Sequence, residues 1–226
     1  MNKYIRYLLL SFLTLGLVAC NSSTPNTQVD SNNIENAQNK SNQLLIVYFS
    51  LPETSTPNNM SPEEENSTVV INGEVMGNTQ YFASVIQEYT QGTSFRIEPV
   101  TVYPTNHEML VNLASTEQKE NARPSINNTI ENFDQYETVF IGYPNWWGDM
   151  PMILYTFFDD YDFSGKTIIP FNTHGGSGFS NTIETIKELE PNASVSNQGL
   201  SISRNNIEDA KPEIISWLDR LAIKGN

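Results

Sequence analysis

Three separated stretches of the sequence carry side chains with chemistry to offer. The first is Pro144-Asn145-Trp146-Trp147-Gly148, where two adjacent indoles sit beside an amide and a glycine. Indole faces suit a flat aromatic ligand, because offset stacking adds to simple burial. The same pair could instead plug its loop onto a core, and both readings stay open. The second stretch is Thr173-His174-Gly175-Gly176-Ser177-Gly178, with three glycines in four positions. Such turns let backbone approach a ligand closely and present successive N–H groups. His174 reads either as a ligand contact or as a hydrogen-bonded brace. The third stretch is Gly77-Asn78-Thr79, with Ser50 further upstream. If it opens a helix, free N–H groups and the positive end of the helix dipole make an anion site. Simple helix capping would explain the same residues. No Lys or Arg lies in these loops, so a phosphate monoester would be held by neutral donors, and there is no Walker sequence.

Elements that would position these stretches follow from hydrophobic pattern. Leu44–Phe49 is an unbroken apolar run of the kind parallel strands show. Thr138–Ile141 is a second such run, stopped by Gly142 and Pro144. Phe95–Glu98 and Thr167–Phe171 read as further strands, and a weaker one lies between Ala193 and Ile202. Helices are predicted from Asn78 to about Tyr89, His107 to Asn121, Ile126 to Phe133, Met152 to Asp159, Ser180 to Leu189 and Ile207 to about Ile223. Residues 51–76 form a long insertion in the first loop. Within it Val69–Ile71 and Glu74–Met76 flank Asn72-Gly73, a type I′ hairpin signal. Alternating strands and helices predict an α/β fold, a five-stranded parallel sheet in order 2-1-3-4-5 covered on both faces. The switch point then lies between strands one and three, and all three stretches meet there.

The amino terminus has a different task. Lys3 and Arg6 precede an apolar run, Leu8–Val18, of signal-peptide length. Leu17-Val18-Ala19-Cys20 resembles the lipobox of bacterial lipoproteins, which implies that Cys20 is diacylated, with palmitate among the acyl chains, and becomes the first mature residue. Residues 1–20 are thus expected to be a lipoprotein signal peptide, 21–43 a flexible polar tether reaching roughly 25 Å, and 44–226 the folded domain. Two acyl chains suffice for stable anchoring, so the expected location is the extracytoplasmic face of the bacterial cell membrane. Cys20 is the one cysteine and His107 the one other histidine, so neither a disulfide framework nor a metal site is expected. Net charge is −14, and removal of the leader leaves ten basic residues against 26 acidic ones. Such a balance argues against nucleic acid as a partner and suits docking to a basic redox protein.

Taken together, Tyr48-Phe49-Ser50, Gly77-Asn78-Thr79, Glu98-Pro99, Tyr103-Pro104, residues 120–124, the GYPNWWGDMP run and the PFNTHGGSG run resemble the flavodoxin-like family of short bacterial flavodoxins. The likeness spans Leu44 to Ile223. It implies a three-layer sandwich and non-covalently bound FMN. It implies that Ser50, Gly77, Asn78 and Thr79 take the phosphate. Pro144, Asn145, Trp146, Trp147 and Gly148 would hold the isoalloxazine, with one indole stacked on it. Thr173, His174, Gly175, Gly176 and Gly178 would approach its other edge. The insertion after Ser50 departs from the family's usual continuous loop. Three functions follow as expectations. The leading one is an electron-transfer flavoprotein, with a redox protein or small acceptor as partner and no catalytic residue of its own. The second is an FMN-dependent NAD(P)H oxidoreductase acting on quinones or similar acceptors, with Tyr103, Arg123, His174 and the insertion shaping the pocket. The third is a non-redox lipoprotein that binds a partner through residues 51–76.

Overall fold

Leu44–Tyr48 forms β1, and its five side chains are all buried, as a strand covered on both faces requires. It pairs in parallel with β4 (Thr93–Arg96) on one side and with β5 (Thr138–Pro144) on the other. β6 (Thr167–His174) lies beyond β5, also parallel. The computed structural model describes residues 43–223, so the predicted signal peptide, Cys20 and most of the tether lie outside the described residues.

The sheet runs β4-β1-β5-β6 and then a fifth position, which keeps the predicted 2-1-3-4-5 path. Its fifth position differs: two short strands, β7 (Ser194–Val195) and β8 (Leu200–Ser203), stand where one was expected. Pro170 supplies the reason. The Ser196 N–H donates to the Ile168 carbonyl (2.8 Å), so the backbone groups of Ile168 face the fifth position. Pro170, two residues on, faces the same way and has no N–H to give. β7 therefore pairs with residues 167–168, β8 with residues 171–174, and the chain bows out between them.

The insertion is ordered. Ser61 caps a short helix, α1 (Pro62–Ser67), through a reciprocal bond with Glu64. The predicted hairpin follows as β2 (Thr68–Ile71) and β3 (Glu74–Gly77), with Asn72 and Gly73 both at positive φ as the turn demands. Helix α2 (Asn78–Thr90) buries Tyr81, Phe82, Val85 and Ile86 against one face of the sheet, each contributing about 1.5–3 kcal/mol. On that face it packs beside α6 (Lys211–Arg220). α3 (His107–Glu120), α4 (Met152–Asp160) and α5 (Thr182–Leu189) serve the opposite face. Three layers result.

Two local expectations are corrected. No helix forms over Ile126–Phe133; only a single 3₁₀ turn at Phe133–Gln135 occurs. Asn128 instead brackets the end of β4, accepting from the Glu98 N–H (3.0 Å) and donating to the Arg96 carbonyl (2.8 Å). Such side-chain bonds to backbone compete with helix. β5 also runs past Ile141 to Pro144, because Gly142 is no breaker: a Cβ there would strike the Phe171 ring.

Candidate functional site

The carboxyl ends of β1, β5 and β6 open into one cleft of about 330 Å³ at the point where strand order reverses. Thr79, Trp147 and Gly175 all border it, so the three stretches singled out in the sequence meet. Each is held by a separate device.

At the anion end, α2 is capped from a distance. The Ser50 hydroxyl oxygen accepts from the Gln80 N–H (3.2 Å), a task normally done by the residue before the helix. That residue is Gly77, and any Cβ on it would overlap the Ser50 hydroxyl. Gly77 therefore makes room for the cap and does not itself line the cleft. Arg96 holds Ser50 from behind, its Nη2 donating to the Ser50 carbonyl (3.1 Å). The N–H groups of Asn78 and Thr79 have no carbonyl to reach inside the helix. Asn78 is 6% exposed; its Nδ2 donates to the Asn66 carbonyl (2.9 Å), while its buried Oδ1 has no hydrogen-bond partner among the described residues. Asn78 lines the cleft, so its orphaned acceptor stands in the wall that a ligand would meet.

The Trp pair divides its labour. Trp146 packs edge-on against Phe49 and Tyr103, with ring centroids 5.6 and 5.8 Å away, and anchors the loop to the core. Trp147 occupies the left-handed region at φ 54°, is 61% exposed, and donates from its indole N–H to the Val111 carbonyl (3.1 Å). With Gly148 at φ 79°, it forms a tight turn closed by paired backbone bonds between Trp146 and Asp149. One indole therefore plugs the loop onto the core, and its neighbour stands exposed at the cleft. Gly148 lies outside the cleft lining and serves the turn, its N–H donating to Asn145 Oδ1 (3.0 Å).

Asn145 bolts the second loop to the third. Its backbone N–H donates to the Thr173 carbonyl (2.8 Å) and its Nδ2 to the Gly178 carbonyl (2.9 Å). Asn172 donates to the same carbonyl (2.9 Å). Gly176 and Gly178 are thus loop formers at positive φ and do not line the cleft, while Thr173, His174 and Gly175 do. His174 Nδ1 accepts the Gly176 N–H (2.8 Å), which places the proton of the neutral ring on Nε2. Burial holds its pKa below the ordinary histidine range. It braces the loop through one nitrogen and keeps a donor on the other.

Several cleft residues were not foreseen. Arg204, just past β8, stands beside Gly175, so a cation enters from a fourth loop although the three recognised loops hold none. Four residues of α3 at helical spacing, His107, Leu110, Val111 and Ala114, form a wall. The insertion, which was expected to help shape a pocket, does line the cleft, through Leu51, Glu53, Asn66 and Ser67. Tyr103 and Arg123, expected in a substrate pocket, do not line the cleft. Tyr103 is 3% exposed and its hydroxyl donates to Glu117 (3.0 Å), while Arg123 pairs with Asp159.

A doubly wound α/β domain with an open helix start and an exposed indole at its switch point has the architecture of nucleotide-type cofactor binders. Within that class, the flavodoxin family's model matches residues 68–221, and the chain belongs to that family. Solved structures agree. A protein from Bacteroides eggerthii named as a flavoprotein is 27% identical, covers 80% of this chain and 99% of its own, and superposes with a TM-score of 0.60. One from Bacteroides uniformis, similarly named, is 25% identical over 75% of this chain and 97% of its own, with a TM-score of 0.55. A Lactobacillus acidophilus flavoprotein in complex with FMN shares the fold at 15% identity, covering 74% of this chain and 97% of its own, with a TM-score of 0.53. No curated protein matches the chain.

Proposed function

We propose that the protein is an FMN-binding electron-transfer flavoprotein tethered by a lipidated Cys20 to the outer face of the cell membrane. The observation that carries the cofactor reading is the cleft itself, with uncharged donors at one end, an exposed indole on one side and a glycine-rich turn opposite. The Lactobacillus acidophilus protein of this fold holds FMN in the same family of architectures. In this chain Asn78, Thr79 and Ser50 would hold the phosphate, and Asn78 Oδ1 would gain the donor it lacks from a ribityl hydroxyl. Trp147 would cover the ring, and Thr173, His174 and Gly175 would border its polar edge. FMN supplies the one- and two-electron redox chemistry when bound. The protein's part is binding, orientation and the local field. Arg204 adds a positive charge there, exposed and hence screened.

Tethering rests on the lipobox resemblance and on the polar stretch between Cys20 and the domain. Among the described residues no helix is long and apolar enough to cross a membrane.

A visible spectrum of the purified chain tests the cofactor: bands of bound flavin, released as FMN on denaturation, are expected. Protein that stays colourless after incubation with FMN would sink the reading. Membrane fractionation with Cys20→Ser tests the anchor, since the variant should lose both label from palmitate and membrane association. Turnover of NADH or NADPH with quinones would replace the carrier by an oxidoreductase.

A further inference from the structure

The Glu53–His107 pair stands in the cleft with no part in holding the ring or the phosphate. Glu53 is 8% exposed, and both its carboxylate oxygens lie against His107 Nδ1, at 3.2 and 3.0 Å. Because Nδ1–H donates to the carboxylate, protons come and go at Nε2. The Glu53 N–H is fixed to Ser67 Oγ (2.9 Å), and the adjoining Asn66 carbonyl accepts from Asn78 Nδ2 (2.9 Å). These bonds fasten the pair to the end of the cleft where α2 begins. Ser50, Asn78 and Thr79 line the same cavity as Glu53 and His107.

A nearly buried carboxylate is an odd neighbour for a phosphate. With His107 neutral the pair carries −1 and repels an incoming monoester; with His107 protonated the pair is neutral. Two further carboxylates add to this charge near the imidazole, and the cation lining the cleft, Arg204, belongs to another wall. The insertion adds Glu63, whose carboxyl feels His107. α3 adds Glu108, next in sequence, and α2 adds only the uncharged Asn78 and Thr79. His174 and Arg204 lie on the wall built by the loops after β6 and β8.

We infer that Glu53 and His107 make the phosphate-monoester site proton-coupled, so that binding FMN draws a proton from solvent onto His107 Nε2. The inference rests on the FMN reading and adds to it a pH-dependent affinity set by the insertion. No covalent bond changes; one proton moves from buffer to imidazole as the ligand enters. Affinity for FMN then falls as pH rises, because the carboxylate of Glu53 is left unneutralised beside the phosphate. Riboflavin, which has no phosphate, is bound without this dependence.

Calorimetry of the full chain with FMN near pH 7, in two buffers of different ionisation heat, reads the proton directly. Net uptake by the wild-type protein is expected with FMN and none with riboflavin. The phosphate's own second ionisation, at about pH 6, releases protons if the dianion is selected, so uptake must come from the protein. His107→Asn should abolish it. Glu53→Gln should bind FMN about fivefold more tightly than wild type near pH 8.5, since a like charge is gone. Zero or negative uptake by wild-type protein that does bind FMN overturns the inference and leaves the cofactor reading intact. Failure to bind FMN at all overturns both.

Discussion

Thr79 at the start of α2 and Thr173 near the end of β6 share a buried hydrogen bond, their hydroxyl oxygens 2.8 Å apart. They lie 94 residues apart in sequence, and their bond ties the anion end of the cleft to the glycine-rich loop. Whichever hydroxyl donates, one hydroxyl hydrogen remains for a ligand. Thr173→Val keeps the shape and strands the Thr79 hydroxyl, at a cost of about 1–2 kcal/mol. A lower urea midpoint and roughly tenfold weaker FMN binding are expected. The double variant with Thr79→Val should recover part of the stability, since both partners are then apolar, and none of the FMN affinity.

The two indoles separate stability from binding. Trp146 supports the core through Phe49 and Tyr103, so Trp146→Ala should cost about 3 kcal/mol in chemical denaturation. Trp147 projects from a tight turn and touches the body through one bond to Val111. Trp147→Ala should leave the denaturation midpoint nearly unchanged and weaken FMN by about tenfold, the value of one stacked ring. If the two variants behave alike, the division of labour is wrong.

These contrasts mark what a single sequence can disclose. β1, β5 and the Asn72-Gly73 hairpin were legible because their patterns are local: unbroken apolar runs and a dipeptide suited to positive φ. The meeting of the three loops was legible because parallel topology leaves few arrangements. Ser50's capping of α2 was not, since the cap lies 30 residues from the N–H it serves. Arg204 was missed for the same reason, entering from beyond β8. The split fifth strand had a signal in Pro170, a residue without a donor in the neighbouring strand. α1 had one too: Ser61 followed by Pro62 and Glu64 is a capping box on a proline-initiated helix. Asn127-Asn128 warned against a helix at Ile126–Phe133, because asparagine side chains bond nearby backbone.

The insertion is tested by replacement. Glu53, Asn66 and Ser67 line the cleft, and the Asn66 carbonyl holds Asn78 in place. Exchanging residues 51–76 for a short turn should therefore lower FMN affinity by about tenfold, given the hydrogen bond lost by Asn78 and the cleft wall removed with it. Retained flavin affinity together with a lost partner interaction would instead make the segment a docking loop.

Glu190, just past the end of α5, sets a pH dependence of stability. Burial, then Asp162 and Asp159, push its carboxyl up to about 7. Its place at the C-terminal end of the helix adds the unfavourable end of the dipole. A carboxyl with a raised folded-state pKa binds more protons folded than unfolded between its ordinary value, about 4.3, and about 7. Stability from this group is therefore greatest below that window and lost as pH rises through it. Glu190 is partly open to solvent, so the effect is discounted to about 1 kcal/mol or less. Glu190→Gln should raise the melting temperature near pH 8 by a few degrees and leave it unchanged near pH 4. A variant that melts with the wild type at both values would show the carboxyl to be solvated in the folded state.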